Sequence, residues 1–156
     1  MSRDRGPTRP AGDQPHMPAP DEHARQHASV RHAHETELVE DYVELVADLI
    51  DSKGEARAVD LAHRFGVAQA TVAKMLRRLD ERGLVVREPY RNILLTDAGR
   101  ALAEQSRRRH ALVLEFLLTL GVDDAIARRD AEGIEHHVSE DTLEAMRRFV
   151  EREGKK

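Results

Sequence analysis

Ala58-Val59-Asp60-Leu61-Ala62-His63-Arg64-Phe65-Gly66-Val67-Ala68-Gln69-Ala70-Thr71-Val72-Ala73-Lys74-Met75-Leu76 places two helical patterns either side of one glycine. The first, Ala58 to Phe65, is short. The second runs from Ala68 to Arg82, with Val72, Met75, Leu76 and Leu79 inward and Lys74, Arg77, Arg78 and Arg82 outward. Gly66 lets the backbone turn tightly between them, and Gly83 ends the second. Leu84 to Glu88 and Asn92 to Thr96 then read as two strands around a Pro89-Tyr90-Arg91 turn. Helix, glycine turn, helix and two-stranded ribbon make the winged helix-turn-helix plan.

Upstream, Leu38, Tyr42, Leu45, Val46, Leu49 and Ile50 recur at three- and four-residue steps, the stripe of a long helix from His34 to Lys53 that stops at Gly54. Before Leu38 large apolar residues almost vanish, and five of the six prolines and five of the nine histidines fall in residues 1–34. Such a segment cannot bury enough surface to offset its ordering entropy, so 1–34 reads as a disordered His/Pro-rich tail, a solvated linker whose histidines bind metal loosely at most. Downstream, Thr96-Asp97 opens a fourth helix that ends before Gly121. Asp123 or Asp124 caps a fifth, to about Val138, and Ser139 or Thr142 caps a sixth. The expected architecture is mainly α: a winged helix over 35–99 and a helical domain over 100–156.

The composition of the 156 residues agrees, with 40% hydrophobic residues but only 3% aromatic and 35% charged. No run of apolar residues is long enough to span a bilayer, and the N-terminus carries no apolar core of a secretory signal, so a cytoplasmic protein with no membrane partner is expected. With no cysteine, any metal is held by oxygen and nitrogen. The net charge of −4 is unevenly spread: residues 35–56 carry a local −7 and residues 57–100 a local +4. The basic block suits nucleic acid.

Within that block, small and polar residues open the third helix, the end that enters a major groove. Gln69 can pair with adenine in two hydrogen bonds, and Ala68 or Ala70 can meet a thymine methyl, with Thr71 beside them. Lys74, Arg77 and Arg78 reach phosphate or guanine, and Arg87, Tyr90 and Arg91 put the wing on the backbone or minor groove. The competing reading is a helical domain whose basic residues are only a solvated face.

A second constellation concerns metal. Glu132, Glu135 and His136 stand at i, i+3 and i+4 in the fifth helix, one face with two carboxylates and an imidazole, while His137 points about 100° away. Asp41 and Glu44 share a face of the first helix, and His110 lies on a partly inward face of the fourth. Taken singly, Asp41 and Glu44 are an ordinary acidic face and His110 a core or ion-paired histidine. If all six converge, four carboxylates about 4 Å apart repel by roughly 1 kcal/mol per pair in water and about 4 at a dielectric of 20, and two divalent ions cancel that charge. Carboxylate with imidazole suits Mn(II), Fe(II), Co(II) or Zn(II). The zincin, di-iron, phosphate-loop and nucleophile-elbow patterns are missing, which argues against an enzyme.

Three runs carry a family resemblance: Glu37-Leu38-Val39-Glu40-Asp41-Tyr42-Val43-Glu44, Gly66 to Leu76, and Ala127-Arg128-Arg129-Asp130-Ala131-Glu132-Gly133-Ile134-Glu135-His136-His137-Val138-Ser139-Glu140. Over about residues 35–152 the chain resembles the manganese branch of the diphtheria-toxin-repressor family. The resemblance implies a homodimer built on helices four to six. It implies a Mn(II) site, two ions per subunit, between that domain and helix one, with ligands at Asp41, Glu44, His110, Glu132, Glu135 and His136. Iron-responsive relatives carry methionine at the Asp41 position, and many add an SH3-like domain for which no length is left here. The implied function is a Mn(II)-activated repressor of manganese uptake genes, or an activator of efflux, on palindromic double-stranded operator DNA. Metal would tie the DNA-binding head to the dimer core and set the recognition helices roughly 34 Å apart. The alternatives are a winged-helix regulator gated by Fe(II), Zn(II) or another ligand, a metal-dependent enzyme, and a metal buffer using the tail.

Overall fold

The computed structural model describes residues 17–88 and 92–154, which form α1 (Pro20–Lys53), α2 (Ala58–Phe65), α3 (Gln69–Glu81), β1 (Val85–Arg87), β2 (Ile93–Leu95), α4 (Asp97–Thr119), α5 (Asp124–Ile134) and α6 (Glu140–Glu153). The mainly α expectation with a two-stranded wing is borne out. Gly66 takes φ 65° and its N–H bonds to Ala62 O, so the left-handed turn required between α2 and α3 is made by the residue that adopts it without strain. β1 and β2 pair antiparallel with Val85 opposite Leu95 and Arg87 opposite Ile93, and Arg57 bridges to Asn92 beside them. The wing-tip candidates Tyr90 and Arg91 lie outside the described residues.

Two apolar clusters hold the elements. In the first, Val43, Val46 and Leu49 of α1 meet Leu61 of α2, Val72 and Leu79 of α3, Val85 of β1 and Ile93 of β2, with Tyr42 stacked on Phe65 at 4.4 Å. In the second, Val113 of α4, Ala131 of α5 and Leu143 of α6 pack with Leu117, Ile134 and Met146. The long α4 serves both, since Ala103 belongs to the first and Val113 to the second. Thr96 caps α4 by accepting from Gly99 N–H at 3.0 Å while its hydroxyl donates to Gly83 O at 2.7 Å. One side chain thus joins the helix start to the turn that feeds the wing.

Three expectations are corrected. The disordered reading of 1–34 does not hold over 20–34: α1 begins at Pro20, fourteen residues before the expected start. Pro20 and the acidic Asp21 and Glu22 suit a first turn, and Ala, His, Arg and Gln sustain an exposed helix without an apolar stripe. Residues 1–16 lie outside the described residues. Second, the buried stripe of α1 is Val39, Tyr42, Val43, Val46 and Leu49, whereas Leu38 is exposed. The stripe is turned by one residue, which sends Glu40 inward. Third, α5 ends at Ile134 with Glu135 as its helical cap, its N–H bonded to Ala131 O at 3.1 Å, so His136 and His137 belong to the turn that follows and not to the helix face.

Candidate metal centre and nucleic-acid interface

The acidic block of α1 divides between two tasks. Asp48 and Asp51 pair with Arg107 of α4, and Asp51 also with Arg100, which ties the two helices on their outer side. Glu37, Glu40, Asp41 and Glu44, spaced as one face of a helix, turn toward the α5–α6 connection instead.

There the turn after α5 places two buried groups, Glu135 and His136, against them. His136 Nδ1 is 2.7 Å from Glu40 Oε2, and Arg109 donates to the other Glu40 oxygen at 3.0 Å. With Nδ1 donating to Glu40, the other ring nitrogen is directed at Asp41 Oδ1 and Glu135 Oε1, each 3.3 Å away. The second Glu135 oxygen lies 2.7 Å from His110 Nδ1, which is itself 3.8 Å from the largely exposed Glu132. Glu44 has no close partner of this kind, yet its carboxyl feels the charges of Asp41 and His136, and Glu135 feels that of Glu44. Five of the six sequence-derived candidates, Asp41, His110, Glu132, Glu135 and His136, therefore stand in one connected cluster, with Glu44 near enough to feel its charges. Glu135 is its hinge, since it touches both histidines.

The electrostatics are those of a site that holds too much negative charge in too little water. Burial pushes the Glu135 carboxyl up to about 7, and the Glu44 and Glu132 charges add to that while His110 and His136 oppose it. Burial raises Glu44 as well, with Asp41 adding and Ser106 and His136 opposing. For His136, burial disfavours the cation, but the hydrogen bonds to Asp41 and Glu40 and the charges of Asp41 and Glu135 outweigh it and hold the ring at about 10.

The donor set fits a hard to borderline divalent cation. Glu135 Oε2 is buried with no well-formed hydrogen bond, although His110 Nδ1 is close by. An acceptor left without a donor in a buried position costs stability unless something else satisfies it. The ligand atoms of His110, Glu132 and Glu135 lie within 4.8 Å of one another, as do those of Glu37, Asp41 and His136. Four carboxylates and two imidazoles without sulfur favour Mn(II) and its neighbours over soft ions.

Sequence reasoning missed Glu40, Arg109, Glu37 and His137. The i, i+3, i+4, i+7 spacing of Glu37, Glu40, Asp41 and Glu44 was the available signal, since it puts all four carboxylates on one face. Glu40 holds the His136 ring at its Nδ1. Glu40→Gln keeps the shape but withdraws charge from His136 and Arg109. It is expected to weaken metal affinity about tenfold, in the range for loss of a ligand's supporting hydrogen bond. A metal titration of the variant checks this, and an unchanged affinity would show that Glu40 does not set the ring.

Gln69, Thr71, Lys74 and Arg77 are exposed on α3. Gln69 and Ala70 border an open groove of about 950 Å³ that Arg57, Arg87 and Asn92 close from the wing side. Two of the basic candidates already have partners: Arg78 pairs with Glu35 of α1 at 3.0 Å and Arg87 with Asp80 at 3.7 Å. Both pairs are solvent-exposed and cost little to exchange for phosphate.

Two family models match in tandem. Residues 34–93 match the iron-dependent repressor N-terminal DNA-binding domain, and residues 96–153 its metal-binding and dimerisation domain. The chain is 56% identical over 136 residues to the transcriptional regulator MntR of Escherichia coli O157:H7, covering 87% of this chain and 88% of that protein. It is 54% identical over 134 residues to MntR of Salmonella typhimurium strain LT2, covering 86% and 85%. Among solved structures, a manganese-dependent transcriptional repressor in complex with manganese matches with TM-score 0.63 and 31% identity over 72% of this chain. The manganese regulator SloR matches with TM-score 0.63 and 27% identity, again over 72%. The chain spans about half the length of these two solved chains, 52% and 53%.

Proposed function

The chain belongs to the iron-dependent repressor family, among its MntR transcriptional regulators, and from that premise we propose that Asp41, Glu44, His110, Glu132, Glu135 and His136 are the residues through which manganese controls its DNA binding. The protein is a manganese-responsive DNA-binding transcriptional regulator and not an enzyme. The observation that carries the assignment is Glu135, one buried carboxylate in reach of both His110 of α4 and His136, which in turn faces Asp41 of α1.

Those contacts join the helix that leads into the DNA-binding head to the helices of the metal-binding and dimerisation region. Without a cation, Asp41, Glu44, Glu132 and Glu135 disfavour one another's charge, which with burial helps keep Glu135 protonated. Bound there, two Mn(II) ions per subunit supply four positive charges against those four carboxylates. Asp41 and Glu44 are then held against His110, Glu135 and His136, and α1 loses its freedom to swing. In a homodimer this fixes the separation of the two α3 helices near one turn of DNA, roughly 34 Å, on a palindromic operator. The exposed apolar Leu118, Leu120 and Ile126 around the α4–α5 junction offer a surface for the second copy. Gln69, Thr71, Lys74 and Arg77 read or grip the major groove, Arg78 and Arg87 leave their carboxylate partners for phosphate, and Tyr90 and Arg91 add DNA contacts. The division falls near residues 99–100, with a cytoplasmic setting. Among the described residues no helix is long and apolar enough to cross a membrane. The output is repression of manganese uptake genes when Mn(II) is high.

Proton linkage follows from the same groups. In the metal-free protein Glu135 stays protonated up to about 7 against an ordinary 4.5, so the folded state binds the extra proton and stability falls as pH rises through that window. His136, at about 10 against 6.5, contributes stability that is full below 6.5 and is lost as pH rises to about 10. Both groups must release their protons to hold a cation. Apparent Mn(II) affinity is therefore expected to climb about tenfold per pH unit near pH 8 and more steeply below 7. Calorimetric titration in buffers of different ionisation enthalpy reads the released protons directly, and a pH-independent affinity would contradict the assignment.

The site is tested by counting. Full-length protein titrated with Mn(II), with free ion followed by electron paramagnetic resonance, is expected to hold about two ions per chain. Glu132→Ala is expected to stay dimeric and hold fewer. An undiminished count in that variant would remove Glu132 from the ligand set.

A further inference from the structure

At the edge of that cluster, His34 and Glu37 of α1 and His137 of the α5–α6 turn meet at one carboxylate oxygen. His34 Nδ1 is 3.2 Å from Glu37 Oε2 and His137 Nε2 is 3.5 Å from the same atom. The two rings stand edge to face, with centroids 5.5 Å apart. We propose that His34, Glu37 and His137 form a further cation site, distinct in chemistry from the carboxylate-rich centre, that takes a nitrogen-preferring divalent ion of the Zn(II) class.

Three observations converge. A tetrahedral ion with ligand bonds of 2.0–2.1 Å needs ligand atoms roughly 3.3 Å apart, and both measured separations lie near that length. The three donor atoms, two imidazole nitrogens and one carboxylate oxygen, lie within 4.8 Å of one another. This set favours zinc, copper or nickel over manganese, whose sites are richer in oxygen. His34 is mostly exposed while Glu37 is half-buried, so an ion can enter from solvent and keep a water as its fourth ligand.

The site would bridge α1 and the α5–α6 turn, the same two segments that Asp41 and His136 bring together. Glu37 lies within reach of both clusters. The outer site thus gives a second ion a handle on the manganese-controlled junction without occupying it.

The test is a zinc count on the full-length protein by competition with a chromogenic chelator, using wild type, His34→Ala and Glu135→Gln. His34 is exposed and its loss should not disturb folding. His34→Ala is expected to bind one Zn(II) fewer per chain than wild type and to keep Mn(II)-dependent operator affinity within about twofold. Co(II) loading of Glu135→Gln is expected to show the intense visible bands of tetrahedral coordination, and these should vanish when His34→Ala is added. Equal zinc counts in wild type and His34→Ala, or cobalt bands that survive the double substitution, overturn the proposal. The manganese assignment fails separately, if Glu135→Gln retains its Mn(II) response while His34→Ala still loses one zinc.

Discussion

Glu135→Gln is expected to leave the protein folded and dimeric while lowering its Mn(II)-dependent operator affinity by at least about 100-fold. The substitution is nearly isosteric, so the packing of the turn survives. What changes is the charge and one acceptor oxygen at the place where the His110 and His136 halves of the cluster join. Loss of a ligand's supporting hydrogen bond alone costs 10–100-fold in affinity, and Glu135 stands in direct reach of both imidazoles, so its loss should lie at or above the upper end. An amide in place of a carboxyl pushed up to about 7 also removes its proton linkage, so the pH dependence of any residual metal binding should flatten. Fluorescence anisotropy of an operator duplex across a Mn(II) series reads the first effect, and the same series at several pH values reads the second. An operator affinity within a few-fold of wild type would show that Glu135 is structural only.

Gly99→Ala is expected to be the most damaging of the small substitutions. A Cβ at residue 99 would stand 2.0 Å from Leu84 O and 3.1 Å from a Leu95 methyl. The carbonyl cannot retreat freely, because it accepts from Thr96 N–H at 3.1 Å and its residue leads directly into β1. Relief requires α4 to lift away from the wing, which would break the Thr96 cap as well. Overpacking of this kind costs about 3 kcal/mol or more, equivalent to a drop of about 10 °C in Tm for a chain of this size. Thermal unfolding measures it directly. A loss below about 1 kcal/mol would mean that the α4–wing junction is looser than its contacts indicate.

The winged-helix part was legible because its signals are local. Gly66, Gly83 and the Thr96-Asp97 cap each act within one turn, and the boundaries of α2, α3 and α4 fall within a residue or two of where they place them. The six metal candidates were legible by residue type, but their geometry was not. One helix face for Glu132, Glu135 and His136 requires α5 to continue, whereas it closes at the Glu135 cap; Glu135 and His136 are buried while Glu132 stays in solvent. Glu40 is hidden in the sequence because the apolar recurrence there starts at Leu38. The core is instead built on Val39 and Val43, a phase that only packing against α2 and α3 decides. The start of α1 was missed for a different reason. Residues 20–33 have no apolar periodicity, so the usual signal of an amphipathic helix does not arise there.

Manganese, acting at the α1–α4–α5 junction, is proposed to decide whether the protein binds DNA. Genomic fragments captured by the metal-stripped full-length protein, once with Mn(II) and once with chelator, test it most directly. The expected result is enrichment of a few palindromic sites with Mn(II) and none with chelator. Equal capture of the same fragments under both conditions would leave the winged helix in place but contradict control by manganese.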